Sequence, residues 1–176
     1  ERAAFELVKK AALAGNLVGQ SETGWRLCKG IGCEENIQEG LSWHKKAAES
    51  GRAYDQGLLA YAYLYRHLSL EQDFDEAFKW ARLSATQGEE LGQFVLGECY
   101  RYGYGVAKDR NLAIEWLKKS ANQGYVRAQA ELAEVFYEGE DGGNRDFLEA
   151  GRWASLAADA GHPIELPPKF RLPRVT

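Results

Sequence analysis

The chain of 176 residues contains no methionine, and only four prolines, three cysteines and three histidines. Each scarcity excludes something. Cys28, Cys33 and Cys99 are too few for a disulfide framework. Cys28 and Cys33 are near enough to pair across a loop, and three free thiols are the other reading. His44, His67 and His162 lie far apart, with no Cys or His at metal-ligand spacing, so a zinc motif is not expected and surface positions are. No run approaches the roughly 20 apolar residues that a membrane span requires. Net charge is −4, with Lys and Arg scattered among Asp and Glu, so a basic nucleic-acid footprint is missing. A chain that opens at Glu1 and holds no methionine reads as an excised domain or a processed product. Its compartment is left open: cytoplasmic or, after loss of a signal peptide, periplasmic or secretory.

What is present is a period. Tryptophans stand at Trp43, Trp80, Trp116 and Trp153, spaced by 37, 36 and 37 residues. Gly15, Gly51, Gly88, Gly124 and Gly161 follow the same spacing. Two independent markers with one period signal a repeat architecture. The segment "GWRLCKGIGCEENIQEGLSWHKKAAESG" aligns with "GECYRYGYGVAKDRNLAIEWLKKSANQG" at a constant offset of 73 residues.

Each unit reads as two helices. In "NLAIEWLKKSANQG", Ala113, Trp116, Leu117 and Ala121 follow helical spacing. Asn36 and Asp109 stand where N-caps belong, and Gly124 where the helix should stop. The first helix is built on "GQFVLGECY", with small residues (Gly24, Gly97, Ala133) that admit a close neighbour. The periodic tryptophans read as wedges between helices. The boundaries expected are a half unit at 1–15 and full units at 16–51, 52–88, 89–124 and 125–161. A proline-rich tail, 162–176, should be extended, with Ile164, Leu166, Phe170 and Leu172 covering the last helix near Trp153 and Leu156.

The motif "YRYGYGVAKD" poses one chemical question. Closely spaced glycines before a lysine can cradle a phosphate. Here they recur as Gly30 and Gly32, between two predicted helices, whereas a phosphate loop joins a strand to a helix. The reading is a tight corner with positive φ at glycine. The second unit has "LYRHLSLEQD" at this point, with His67 and Ser69 in place of the glycines, so another loop conformation is expected. "EDGGNRD" (140–146) lacks the spacing and final glutamate of a calcium loop and reads as an insertion. Carboxylates are many, but no motif pairs acid with base. No catalytic, cofactor-binding or metal-binding residues are assigned.

These motifs resemble the Sel-one-like repeat family, a relative of the tetratricopeptide repeats. The resemblance rests on "LGECYRYGYGVAKDRNLAIEWLKKSANQG" and covers residues 1–161. It implies an all-α fold, a right-handed α-solenoid of helix-turn-helix units. It also implies a scaffold or adaptor that binds another protein or peptide, without catalysis. Nucleic acid, membrane insertion and a small-molecule substrate are not expected. Two alternatives accompany this reading. One is a bacterial immunity protein that sequesters a toxin. The other is a hydrolase of the family's cysteine-rich branch, which this chain resembles less because its cysteines are not regularly paired.

In tetratricopeptide repeats the first helices line the concave side. Transferring that geometry places Ser21, Trp25 and Cys28 on the groove from the first unit, and Leu58, Ala62, Tyr65 and Arg66 from the second. The third gives Leu91, Phe94, Glu98, Arg101 and Tyr102. The fourth gives Arg127, Ala130, Glu134 and Tyr137. The expected partner-binding set is Trp25, Tyr65, Arg66, Phe94, Glu98, Arg101, Tyr102, Glu134 and Tyr137. Aromatics with arginine are the composition of interface hot spots.

Overall fold

The structure is a computed structural model and describes residues 1–139 and 145–161. Among these residues it contains only helices: α1 (Arg2–Leu13), α2 (Leu17–Lys29), α3 (Ile37–Glu49), α4 (Ala53–Tyr65), α5 (Phe74–Thr86), α6 (Glu90–Tyr102), α7 (Arg110–Asn122), α8 (Val126–Glu138) and α9 (Phe147–Asp159). None of them is long and apolar enough to cross a membrane. Consecutive helices pack against each other, and α4 also packs directly beside α6. The result is an α-solenoid. The tail, with the capping role expected for it, lies outside the described residues, as does most of the 140–146 insertion.

The helices start where the side chains can satisfy free backbone amides. Asn36 accepts from the Glu39 amide at 3.0 Å, and Asp109 from the Leu112 amide at 3.0 Å. Asn16, Asp73, Glu89 and Asp146 do the same for α2, α5, α6 and α9. Close helix contact depends on the small residues. A Cβ on Gly97 would sit 2.7 Å from the Leu117 side chain, so α6 can lie on α7 only because that atom is missing.

The corner glycines hold left-handed backbone. Gly103 has φ of 79° and Gly105 of 66°. A Cβ on Gly105 would also fall on the carbonyl oxygen of Phe74, at the start of α5. The loop is therefore a packing element between units, which agrees with the corner reading.

The second unit departs from expectation in an instructive way. Its glycine positions are taken by Arg66 and Leu68, not by His67 and Ser69. Arg66 has φ of 56° and Leu68 of 52°, the conformation of their glycine counterparts, and Ser69 adds a third left-handed residue at 60°. Non-glycine residues there cost roughly 1–2 kcal/mol each. The packing of the flanking helices holds them in place.

The main core cluster runs from α4 to α8 through Leu64, Val95, Leu96, Cys99, Leu117 and Leu132, and a smaller one joins Leu41 and Ala48 to Leu59. Trp80, Trp116 and Trp153 are half-buried at its edge, Trp43 is half-buried too, and none is a fully enclosed wedge. Their flanking residues go deeper: Ala81 and Leu117 have no exposed surface. All three cysteines are free thiols. Cys99 is buried, and burial pushes its thiol up to about 12. His44 is not on the surface. It is 2% exposed, with Nδ1 2.6 Å from the fully buried carboxylate of Asp55, which also takes a 2.7 Å hydrogen bond from Arg52.

Candidate functional site

The first helices of the units, α2, α4, α6 and α8, bring their side chains to a common face. Arg127, at the start of α8, donates a hydrogen bond to the hydroxyl of Tyr61 on α4. Its guanidinium lies 5.4 Å from the Tyr61 ring centre, 5.6 Å from Tyr65 and 5.9 Å from Phe94. Arg127 and Tyr61 thus bridge α6 above the buried ring of Phe94.

Around this contact the face is organised by hydrogen bonds. Tyr61 and Tyr65 have ring centres 4.5 Å apart. The Tyr65 hydroxyl donates to the carboxylate of Glu98. Glu98 is buried, and burial pushes its carboxyl up to about 7 despite the Tyr65 bond that favours the charged form. Burial and the neighbouring Glu98 raise the Tyr65 hydroxyl as well. Arg101 pairs with Glu131, with Glu138 at 2.7 Å and with Glu134 at 3.6 Å, while Tyr102 donates to Glu131 at 2.9 Å. Burial, then Glu131, raises the Glu134 carboxyl.

The sequence pattern of the Sel1 repeat matches residues 1–16, 18–51, 53–89, 91–125 and 126–162. The chain belongs to the Sel1 repeat family. An uncharacterized protein of Neisseria meningitidis serogroup B is 31% identical over 145 residues, which are 82% of this chain and 29% of the relative. The crystal structure of a Sel1 repeat protein from Oxalobacter formigenes matches with 31% identity and a TM-score of 0.77, covering 91% of this chain and 64% of that one. The protective antigen c5321 of uropathogenic Escherichia coli, described as displaying an SLR fold, matches with 29% identity and a TM-score of 0.77, covering 89% and 33%. The chain thus spans about a third of the Neisseria and Escherichia proteins.

Within this Sel1 repeat array, the residues expected on the groove divide into four groups. Trp25, Tyr65, Tyr102 and Glu134 are exposed. Phe94 and Glu98 lie beneath the surface, 2% and 7% exposed, and form its floor: Phe94 packs against Tyr125, and Glu98 sits under Tyr65. Arg66 and Tyr137 make contacts within their own units. Arg66 pairs with Glu71 of the following loop at 3.0 Å, and the Tyr137 ring lies 5.8 Å from Phe147 at the start of α9. Arg101 is largely enclosed by the three glutamates of α8.

Two members were missed or misplaced. Ala62, expected on the groove, is fully buried, and Tyr61 holds that place. The one-residue slip follows from the glycine-free loop of the second unit, which offered no register mark. The Sel1 period held the signal, since Tyr61 stands 36 residues after Trp25. Tyr54 was the other omission. With Val18, Ser21, Glu22, Trp25 and Arg52 it lines an open cleft of about 300 Å³ between α2 and α4. Trp25 and Tyr54 are 43% and 44% exposed there.

Proposed function

We propose that this Sel1 repeat chain is a non-catalytic protein-binding module. It holds an extended segment of a partner protein against the inward-curving face of its first helices. The observation that carries this reading is the half-exposed aromatic band of Trp25, Tyr54, Tyr65 and Tyr102 on a face spanned by the Arg127–Tyr61 contact. Tyrosine and tryptophan bring large contact areas at low entropic cost, and a polar rim of arginine and glutamate surrounds them. The ionisable groups of the face bind mainly to one another, an arrangement suited to fixing shape and charge pattern.

Panning a phage-displayed library of random peptides against the purified chain tests the reading. Enriched peptides are expected to bind the wild type and to lose most affinity for a Tyr65→Ala, Tyr102→Ala variant whose helicity and melting transition are retained. Peptides that bind the double variant equally well would place the binding surface elsewhere.

A further inference from the structure

The binding face is electrically polar along α8, and this constrains what can lie on it. Arg127 opens the helix. Of the arginines on or beside this face, Arg26 pairs with Glu22, Arg52 with Asp55, Arg66 with Glu71 and Arg101 with the glutamates of α8. Arg127 has no carboxylate within ion-pair distance among the described residues; tyrosine and phenylalanine rings hold it instead. Glu98, the carboxylate whose charged form Arg127 favours, is already engaged by the Tyr65 hydroxyl. Arg127 is therefore a positioned, exposed cation with no ion pair of its own among the described residues.

The far end of α8 has the opposite imbalance. Arg101 supplies one positive charge to Glu131, Glu134 and Glu138. The last two side chains are 51% and 63% exposed. At 1.5 Å per helical residue, Glu134 and Glu138 lie about 10 and 16 Å along the axis from Arg127. An extended chain covers that distance in roughly three to five residues. Tyr65 and Tyr102 offer half-exposed rings on the neighbouring helices.

Building on the peptide-binding reading, we propose that the partner segment is an extended peptide of defined polarity. It carries an Asp or Glu that seats on Arg127, and a Lys or Arg about three to five residues away that seats on Glu134 and Glu138. The residues between them rest on the tyrosine rings. Charge complementarity at both ends sets direction and register, while the aromatic floor contributes sequence-tolerant contact.

The sequences enriched from the random library test this directly. The proposal expects an acidic and a basic residue at that spacing in one consistent order. It also expects at least a tenfold affinity loss for such peptides on Arg127→Gln, with partial recovery in Arg127→Lys. Glu134→Gln with Glu138→Gln should weaken only peptides that keep the basic residue. Thermal melts of each variant show whether the fold is intact. A charge reversal, Arg127→Glu with a Lys-for-Glu peptide, restores binding if the contact is direct. Enriched peptides lacking an acid, or equal binding to Arg127→Gln, would overturn the proposal and leave the peptide-binding reading standing. No enrichment at all would overturn both.

Discussion

Arg127 and Tyr61 touch although they belong to α8 and α4, with α6 between them. This contact joins sequence to function through geometry. The period of 36 or 37 residues stacks the units, the small residues set how closely the helices approach, and the resulting curvature brings alternate units into reach.

The glycine corner gives a first prediction. Gly105→Ala combines a strained φ with a Cβ directed at the Phe74 carbonyl oxygen. It should destabilise the chain by at least about 1 kcal/mol in denaturant unfolding. A loss within experimental error would mean that the corner is not a packing element.

Glu98 gives a pH dependence whose sign can be worked out. Burial raises its carboxyl from 4.5 to about 7 in the folded chain. Between those values the folded state holds a proton that the unfolded state has released. This contribution to stability is complete below about pH 4.5 and is lost as pH rises through about 7. Glu98→Gln removes the dependence. The variant should be more stable than wild type at pH 8, by about 1–3 kcal/mol, and close to it at pH 5. Parallel stability profiles for the two proteins from pH 5 to 8 would contradict this assignment.

The buried His44–Asp55–Arg52 set is the third point. Asp55 is fully buried and serves both partners. Asp55→Ala leaves an enclosed imidazole and a guanidinium without their carboxylate. A cost of roughly 3–5 kcal/mol is expected by thermal or chemical unfolding. A cost below about 1 kcal/mol would show that water or another group replaces the carboxylate easily.

The tryptophan marker and the core can be separated by a pair of substitutions. Leu117 has no exposed surface, whereas its neighbour Trp116 is half-buried under Lys119, whose ammonium lies 3.8 Å from the ring centre. Leu117→Ala should cost about 2–5 kcal/mol and exceed Trp116→Ala. The reverse order would restore the tryptophans as the principal wedges.

The all-α solenoid was legible because its signals are local. Caps such as Asn36 and Asp109, corner glycines such as Gly103, and small contact residues such as Gly97 act within one or two turns. The binding face was legible only in part. Trp25, Tyr65 and Tyr102 follow from helical register, but the depth of Phe94 and Glu98 depends on how closely α8 approaches α6. The burial of His44 depends on Asp55 in the next unit. The Arg127–Tyr61 contact joins two non-consecutive helices, and nothing at either residue alone marks it. The loop of Arg66 and Leu68 hid its register because non-glycine residues occupy left-handed backbone there.

Hydrogen–deuterium exchange on the chain with and without a library-selected peptide tests the central claim most directly. Slower amide exchange on binding is expected in α4, α6 and the first half of α8, around Tyr61, Tyr65 and Arg127, with α5 and α7 little changed on their outer faces. Protection confined to the second helices α3, α5 and α7, with none in α4, α6 or α8, would contradict the assignment of the inward-curving face as the binding surface.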